Sequence, residues 1–321
     1  MVRRIKNEEE NNSKIKEIIG RKSKEFNASN KKVRSALYAS DIYQCPRKVF
    51  YQFFPDIYAT EQIDGRTARI FANGEDVHMR LSAYLDAERS IEFEREINIP
   101  RDELDVHGRC DGVAIIDTTF CVVEFKSINK DKMFEPKDEH AGQLQWYLGM
   151  WEMHRLNLRE EFGIAEEEMV FDPLILKSEK TGRTGYQLSS VEKKLLRATR
   201  PVMGEVVYEC KPNQEIYGYE IEFDEAKFEE LKSWYREVKK AVDEGIRPTV
   251  HYDKNKYPCN WWVSRCSYYD ICWGEQQVET DHLIKIGRVK KIDTGDEADK
   301  MKLLLEAIEQ SIEGDEDDDE G

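Results

Sequence analysis

The sequence contains no run of apolar residues long enough to span a bilayer, and its opening, MVRRIKNEEENNSK, lacks the apolar stretch of a secretory signal. Seven cysteines among 321 residues are too few for a disulfide-stapled scaffold. With no export signal, a reducing cytoplasm is the expected setting, and grouped cysteines read as metal ligands before disulfides. No internal repeat is present, and no G-x-x-x-x-G-K-[ST] loop, so ATP-driven work on a substrate would need a separate subunit. Positive charge is also in deficit: 49 Lys and Arg against 65 Asp and Glu give a net charge of −16, which argues against simple bulk-electrostatic binding of a polyanion. Membrane, collagen-like and wholly disordered classes are excluded, because 40% hydrophobic residues still supply a core.

The charge is unevenly spread. Residues 1–34 carry eleven Lys and Arg against five Glu, whereas the last eight, GDEDDDEG, carry six acids and no base. Both ends read as solvated arms. One short helix is expected around Ile15–Ile19. The expected division is a basic arm at 1–34, a compact α/β domain over 35–290, and an amphipathic helix with acidic tail at 291–321. Met301, Leu304, Leu305, Ile308 and Ile312 form that helix's stripe.

Within the compact part, Val77, Leu81, Tyr84 and Leu85 recur at helical spacing over Gly74–Glu88. Strands are expected at Ile91–Ile99, Val106–Ile116 and Thr119–Ile128, the last two joined by a hairpin turn at Asp117-Thr118. A helix follows from about Glu139 to His154. Further strands are expected at Met169–Leu176 and Tyr217–Phe223. Asp224 caps a helix with Phe228, Leu231, Tyr235, Val238 and Val242 on its buried stripe, ending at Gly245. Helices and strands in this order describe an α/β layout around a mixed sheet.

The sharpest chemical signal lies in two strands, Gly108-Arg109-Cys110-Asp111-Gly112 and Val122-Val123-Glu124-Phe125-Lys126-Ser127. Asp111 and Glu124 each interrupt an apolar strand. Lys126 lies two residues after Glu124, so both point to one face. A turn centred near residue 118 sets Asp111 opposite about residue 125, so two carboxylates and a lysine converge. Oxygen ligands of this kind suit a hard cation such as Mg²⁺, and the lysine can orient water or stabilise charge on a phosphate. An E-x-K sequence alone is more often a surface salt bridge. Core-like flanks argue otherwise, since a buried charged pair needs a reason.

These motifs resemble the PD-(D/E)XK nucleases of RecB type, in particular the CRISPR-associated RecB-like exonucleases and their phage and archaeal-virus relatives. Two further elements match in order: His78 in Gly74-Glu75-Asp76-Val77-His78, and the Q-x-x-x-Y pattern of Gln143 and Tyr147. The resemblance spans roughly 35–275. It implies a restriction-endonuclease-like fold, with a mixed central sheet flanked by helices. It implies a metal-dependent DNA exonuclease acting on single-stranded DNA or free ends. His78, Asp111, Glu124 and the Phe125 carbonyl would hold Mg²⁺ or Mn²⁺, Lys126 would position the attacking water, and Gln143 and Tyr147 would orient Lys126 or the DNA backbone. DNA is the expected partner, with a helicase, recombination or single-strand-binding protein as a further candidate and no membrane. The setting is the cytoplasm, or a host's cytoplasm for a viral protein. A non-catalytic end-binding module or scaffold and a structure-specific endonuclease are the alternatives.

The resemblance also joins one N-terminal cysteine to three near the other end around a [4Fe–4S] cluster; here these are Cys45, Cys259, Cys266 and Cys272. Four thiolates also suit zinc. The family's usual ending, C-x2-C-x5-C, is met by Cys266 and Cys272. Val263 occupies the remaining position, and Cys259 lies seven residues before Cys266. Cys110, Cys121 and Cys210 read as buried small apolar residues. Trp261, Trp262, Tyr268, Tyr269 and Trp273 read as packing around the cysteines more readily than as platforms for bases. Arg47, Lys48, Arg109 and Arg265 are available to phosphates. The leading Asp is preceded by Cys110 where the family often has Ile or Val. The stretch Trp151–Pro258 carries no recognised motif and reads as room for an insertion shaping the substrate channel.

Overall fold

A computed structural model describes residues 18, 21–22, 34–54, 65–165, 168–249, 255, 258–261 and 264–273. The expected helix at Ile15–Ile19, most of the basic arm, the C-terminal stripe and the acidic tail lie outside the described residues, as do the side chains of Trp261, Trp262 and Arg265. The described helices are α1 (Pro46–Tyr51), α2 (Gly65–Ala87), α3 (Asp138–Glu161), α4 (Ser190–Arg197), α5 (Glu225–Glu244) and α6 (Tyr269–Trp273). The strands are β1 (Glu92–Asn98), β2 (Arg109–Ile116), β3 (Thr119–Ile128), β4 (Met203–Cys210) and β5 (Ile216–Glu222), with a two-residue pair β6 (Asn260–Trp261) and β7 (Ser264–Arg265).

The main sheet runs in order β1-β2-β3-β4-β5. All neighbours are antiparallel except β3 and β4, which run parallel. A parallel pair needs a crossover, and α3 and α4 lie within it. β3 is the central strand, buried along nearly its whole length because both faces are covered. Phe120 and Val122 join the larger core with Leu144, Trp146 and Leu148 of α3 and Phe228, Leu231 and Tyr235 of α5. Cys121, Val123 and Phe125 point the other way, against Val77 and Leu81 of α2. By the same alternation Glu124 and Lys126 face α3.

The hairpin forms at Asp117-Thr118, with Ile116 paired to Thr119 and Asp117 at φ 54°, as a tight two-residue turn demands. The register Gly112↔Val123 sets Asp111 across from Glu124, one residue from the expected position. Asp224 caps α5 by accepting the Lys227 N–H at 3.0 Å, and Gly245 closes it at φ 59°.

Three expectations change. Tyr84, placed on the α2 stripe, is exposed. Met169–Leu176 is not a strand: Pro173 starts a single 3₁₀ turn, Pro173–Ile175, since it has no N–H to give a ladder. Two elements are added inside the stretch that carries no motif. One is α4, set by a capping box between Ser189 and Glu192. The other is β4, whose Val206 and Tyr208 are fully buried although Glu205 and Glu209 break the apolar pattern.

The α3–α5 contact depends on a missing side chain. A Cβ on Gly149 would meet the Phe228 ring at 2.3 Å, and that ring is buried. A Cβ on Gly142 would meet Tyr43 at 2.4 Å, but Tyr43 is exposed and can swing away. Gly149→Ala should therefore destabilise by about 1–3 kcal/mol, overpacking exceeding the gain in helix propensity. Gly142→Ala should be neutral or mildly stabilising. Urea unfolding of both variants checks this, and equal effects would contradict it.

Candidate active site

Four elements converge on one end of β3. The β1–β2 ladder is interrupted between Arg95↔Gly112 and Ile97↔Cys110, where Glu96 takes φ 56°. Asp111, at that break, turns its carboxylate onto the next strand: Oδ2 accepts the Phe125 N–H at 2.7 Å. Its Oδ1 lies 3.0 Å from Nδ1 of His78, which α2 brings across the sheet. A strand amide and an imidazole thus fix both oxygens of Asp111. Phe125 enters the site through its backbone, while its ring packs against α2.

Glu124 is buried, its side chain 4% exposed, and Oε1 accepts from Lys126 Nζ at 2.6 Å and from Gln143 Nε2 at 3.0 Å. Lys126 Nζ also donates to Gln143 Oε1 at 3.1 Å. Gln143 Nε2 lies 2.6 Å from the Tyr147 hydroxyl, which donates to the Arg109 carbonyl at 3.3 Å. The Q-x-x-x-Y spacing is one helical turn, so both side chains face the sheet. Together they tie α3 to the carboxylate, to the lysine and to the strand bearing Asp111.

Oε2 of Glu124 is buried and, among the described residues, has no hydrogen-bond partner. A buried acceptor without a donor is costly and needs an explanation. Burial pushes the Glu124 carboxyl up to about 7; Lys126 opposes that shift, and Asp111 adds to it. Among the described residues, no three His, Cys, Asp or Glu side chains stand in a ready metal-holding group. The donor set nonetheless suits a hard cation, because the unpartnered Oε2 is an acceptor open to a proton, a water or a cation and Asp111 and His78 adjoin.

The distant cysteines lie in one region, within reach of one another's charge, but among the described residues they do not form a group of three that could hold a metal. Cys45 sits at the N-cap of α1, and burial raises its thiol, with Cys259 and Cys266 adding smaller charge effects. Hydrogen bonds from the Lys48 and Arg47 amides act in the opposite direction. Cys272 is pushed up to about 11 by burial first, and Cys45 and Cys266 contribute. Cys266 N–H donates to the Cys259 carbonyl at 2.9 Å, beside the β6–β7 pair. Tyr268 stacks on Tyr51, and with Phe50 and Ile271 they form a small core beside Cys272. Cys110, Cys121 and Cys210 are buried apart from this group, as read from the sequence. Arg47 is committed elsewhere, donating to the Pro248 carbonyl at 2.9 Å and lying over the Trp273 ring. Arg109 remains 60% exposed, beside a groove also lined by Tyr38, Arg101 and His107.

The model of the PD-(D/E)XK nuclease superfamily matches residues 32–273, about three quarters of the chain. The chain belongs to the PD-(D/E)XK nuclease superfamily. A CRISPR-associated exonuclease Cas4 of Saccharolobus solfataricus is 30% identical over 142 residues, covering 43% of this chain and 68% of that protein. Two solved structures are more remote. SSO0001 is 18% identical, covering 82% of this chain and 98% of that one, at a TM-score of 0.42. An alkaline exonuclease from Laribacter hongkongensis is 12% identical, covering 66% and 89%, at a TM-score of 0.38.

Two neighbours of the site are absent from the motif reading. His140 precedes Gln143 by three residues on α3, and Tyr208 stands beside Lys126 in the β3–β4 register. The signal for His140 was its helical spacing from Gln143. Tyr208 had none, because β4 itself was not legible.

The buried carboxylate has a consequence for stability. A carboxyl whose folded pKa is raised to about 7 from 4.5 binds its proton more tightly in the folded state. Its contribution is present below the unfolded pKa and is lost as pH rises from about 4.5 to about 7. In chelator, the melting temperature should fall across that window. Glu124→Gln should flatten the fall, while identical slopes in wild type and variant would contradict the raised pKa.

Proposed function

We propose that this nuclease is a metal-dependent DNA exonuclease acting on single-stranded DNA or free DNA ends. The observation that carries the reading is Glu124, a buried carboxylate with one oxygen bound to Lys126 and the other without a partner. The Cas4 relative, an exonuclease, agrees with it.

Glu124 Oε2, Asp111 and His78, with the Phe125 carbonyl, would hold Mg²⁺ or Mn²⁺. When bound, the metal supplies Lewis acidity at a phosphate oxygen and makes water a better nucleophile. The chain's own residues do the rest. Lys126, its ammonium shared between Glu124 and Gln143, is held where it can orient water and balance charge growing on the phosphate. Tyr147 fixes the Gln143 amide, so the lysine's position is built by α3. The Phe125 N–H keeps Asp111 from turning away from the site. Arg109, two residues before Asp111 and 3.6 Å from Glu96, lines a groove with Arg101 and His107 that could take a phosphate.

Cys45, Cys259, Cys266 and Cys272 are proposed to hold a [4Fe–4S] cluster, zinc being the other four-thiolate occupant. Amide donors on the Cys45 sulfur fit a ligating thiolate, since they stabilise negative charge there. The role is structural: 214 residues separate Cys45 from Cys259, and joining them closes nearly the whole domain.

Lys126→Ala and Glu124→Ala should each lower Mg²⁺- or Mn²⁺-dependent digestion of end-labelled single-stranded DNA at least about a hundredfold while leaving circular dichroism unchanged. Digestion at the wild-type rate in either variant would overturn the assignment. Equal digestion of covalently closed circles would remove the requirement for an end. Iron and sulfide analysis after anaerobic purification should find the cluster in wild type and lose it in Cys259→Ala. Zinc with no iron would make the metal wrong while leaving the four ligands standing.

A further inference from the structure

The catalytic lysine and glutamine have a twin one rung along. On the sheet, Lys126 and Tyr208 are register partners across the parallel β3–β4 pair, so they stand side by side on one face. On α3, Gln143 and His140 are one turn apart on the same stripe. The contacts repeat: Lys126 meets Gln143 at 3.1 Å, and Tyr208 meets His140 at 2.9 Å between its hydroxyl and Nδ1. No ligand role in the metal site engages this second rung.

The proton positions of the second rung follow from its donors. The Lys137 N–H can only donate, and it points to the Tyr208 oxygen at 3.0 Å. The Tyr208 proton can complete the 2.9 Å contact to Nδ1 of a neutral imidazole, the Nδ1–H tautomer being the alternative. Burial, followed by the charges of Lys126 and Lys137, pushes the imidazole down to about 3, in accord with a neutral ring. An imidazole accepting at Nδ1 carries its proton at Nε2. Among the described residues, Nε2 has no hydrogen-bond partner, nor is it one of the buried unpartnered atoms; the ring is partly exposed. The result is an oriented neutral donor, open to solvent, adjoining the lysine.

The setting points to the acceptor. The β3–α3 connection carries exposed Lys130 and Lys132 beside Asp131 and Glu135, and Lys137 at its end lies 3.7 Å from Glu139. The connection is anchored: Met133 is buried, Asn213 donates to the Asp131 carbonyl at 2.9 Å, and Lys211 N–H donates to the Ile128 carbonyl at 2.9 Å. An anion at this edge meets one fixed N–H beside Lys126, among exposed charges of both signs.

We infer that His140, held by Tyr208, donates its Nε2–H to a non-bridging oxygen of a phosphate in the bound DNA strand, next to the phosphate that Lys126 serves. This rests on the nuclease reading. It adds a phosphate-contact residue and a tyrosine that positions it. A neutral donor contributes register along the strand, with little of the salt dependence that a lysine brings.

The test uses the full chain with Lys126→Ala, so that DNA is bound and not cut. Retained cutting in that background would fail the nuclease reading and leave this one to be judged by binding alone. Fluorescence anisotropy reads affinity for an end-labelled single strand, intact or carrying one neutral methylphosphonate moved along positions near the end. His140→Ala should weaken intact DNA about tenfold, the size of one hydrogen bond to a charged group. At one methylphosphonate position the parent should lose a similar factor, and His140→Ala should lose nothing more. Long-range ¹H–¹⁵N spectra should show the Nε2–H tautomer, and Tyr208→Phe should disturb it. Unchanged affinity in His140→Ala, or the same loss at every methylphosphonate position, would overturn the inference and leave the pair a packing contact. His140→Asn, which keeps a polar group with less reach, should bind like His140→Ala. Wild-type binding by it would equally contradict the role.

Discussion

The site turns on the burial of one carboxylate. Glu124 lies on the central strand beneath a 24-residue helix, where an ionised group is expensive unless paired. Lys126 and Gln143 satisfy one oxygen and leave the other without a partner. Much of the surrounding architecture serves that arrangement. The parallel β3–β4 pair requires a crossover, and the crossover supplies α3. The helix in turn supplies Gln143 and Tyr147. Its Gly149 allows α5 to pack closely, so that α3 is held against the sheet from behind.

The neighbouring strand is handled by a different device. Asp111 sits at a break in the β1–β2 ladder, and its carboxylate takes a β3 amide that regular pairing would otherwise use. His78 reaches the same carboxylate from α2. Two carboxylates on neighbouring strands are thus held by unrelated means. One is held by side chains from above and the other by a main-chain amide, which keeps them in place despite their like charge.

Much of this was legible in the sequence, for identifiable reasons. Glu124 and Lys126 stood out because charge two residues apart inside VVEFKS violates the apolar pattern of a central strand. The Asp117-Thr118 turn fixed the hairpin. Gln143 and Tyr147 were readable through the resemblance to the family's Q-x-x-x-Y pattern, and their spacing of one helical turn places both toward the sheet. β4 was hidden, since Glu205 and Glu209, the latter buried against Arg80, disguise a strand whose Val206 and Tyr208 are buried, and Tyr208 was hidden with it. The strand expected at Met169–Leu176 shows the converse: apolar residues without a ladder, because Pro173 denies the donor. The cysteine grouping was visible in composition and in the resemblance, and the fold brings Cys45 within electrostatic reach of Cys259 and Cys266.

The central claim is that Glu124, Asp111 and His78 form one cation site whose empty valence is the unpartnered Glu124 oxygen. Manganese titration of the full chain, by calorimetry and by electron paramagnetic resonance, tests it most directly. At pH 6.5, below the raised Glu124 pKa, binding should release a proton to the buffer, because the cation displaces the one Glu124 holds. That release should disappear in Glu124→Gln, and the manganese signal should weaken in Asp111→Asn. Manganese binding of wild-type strength and unchanged proton release in both variants would contradict the account.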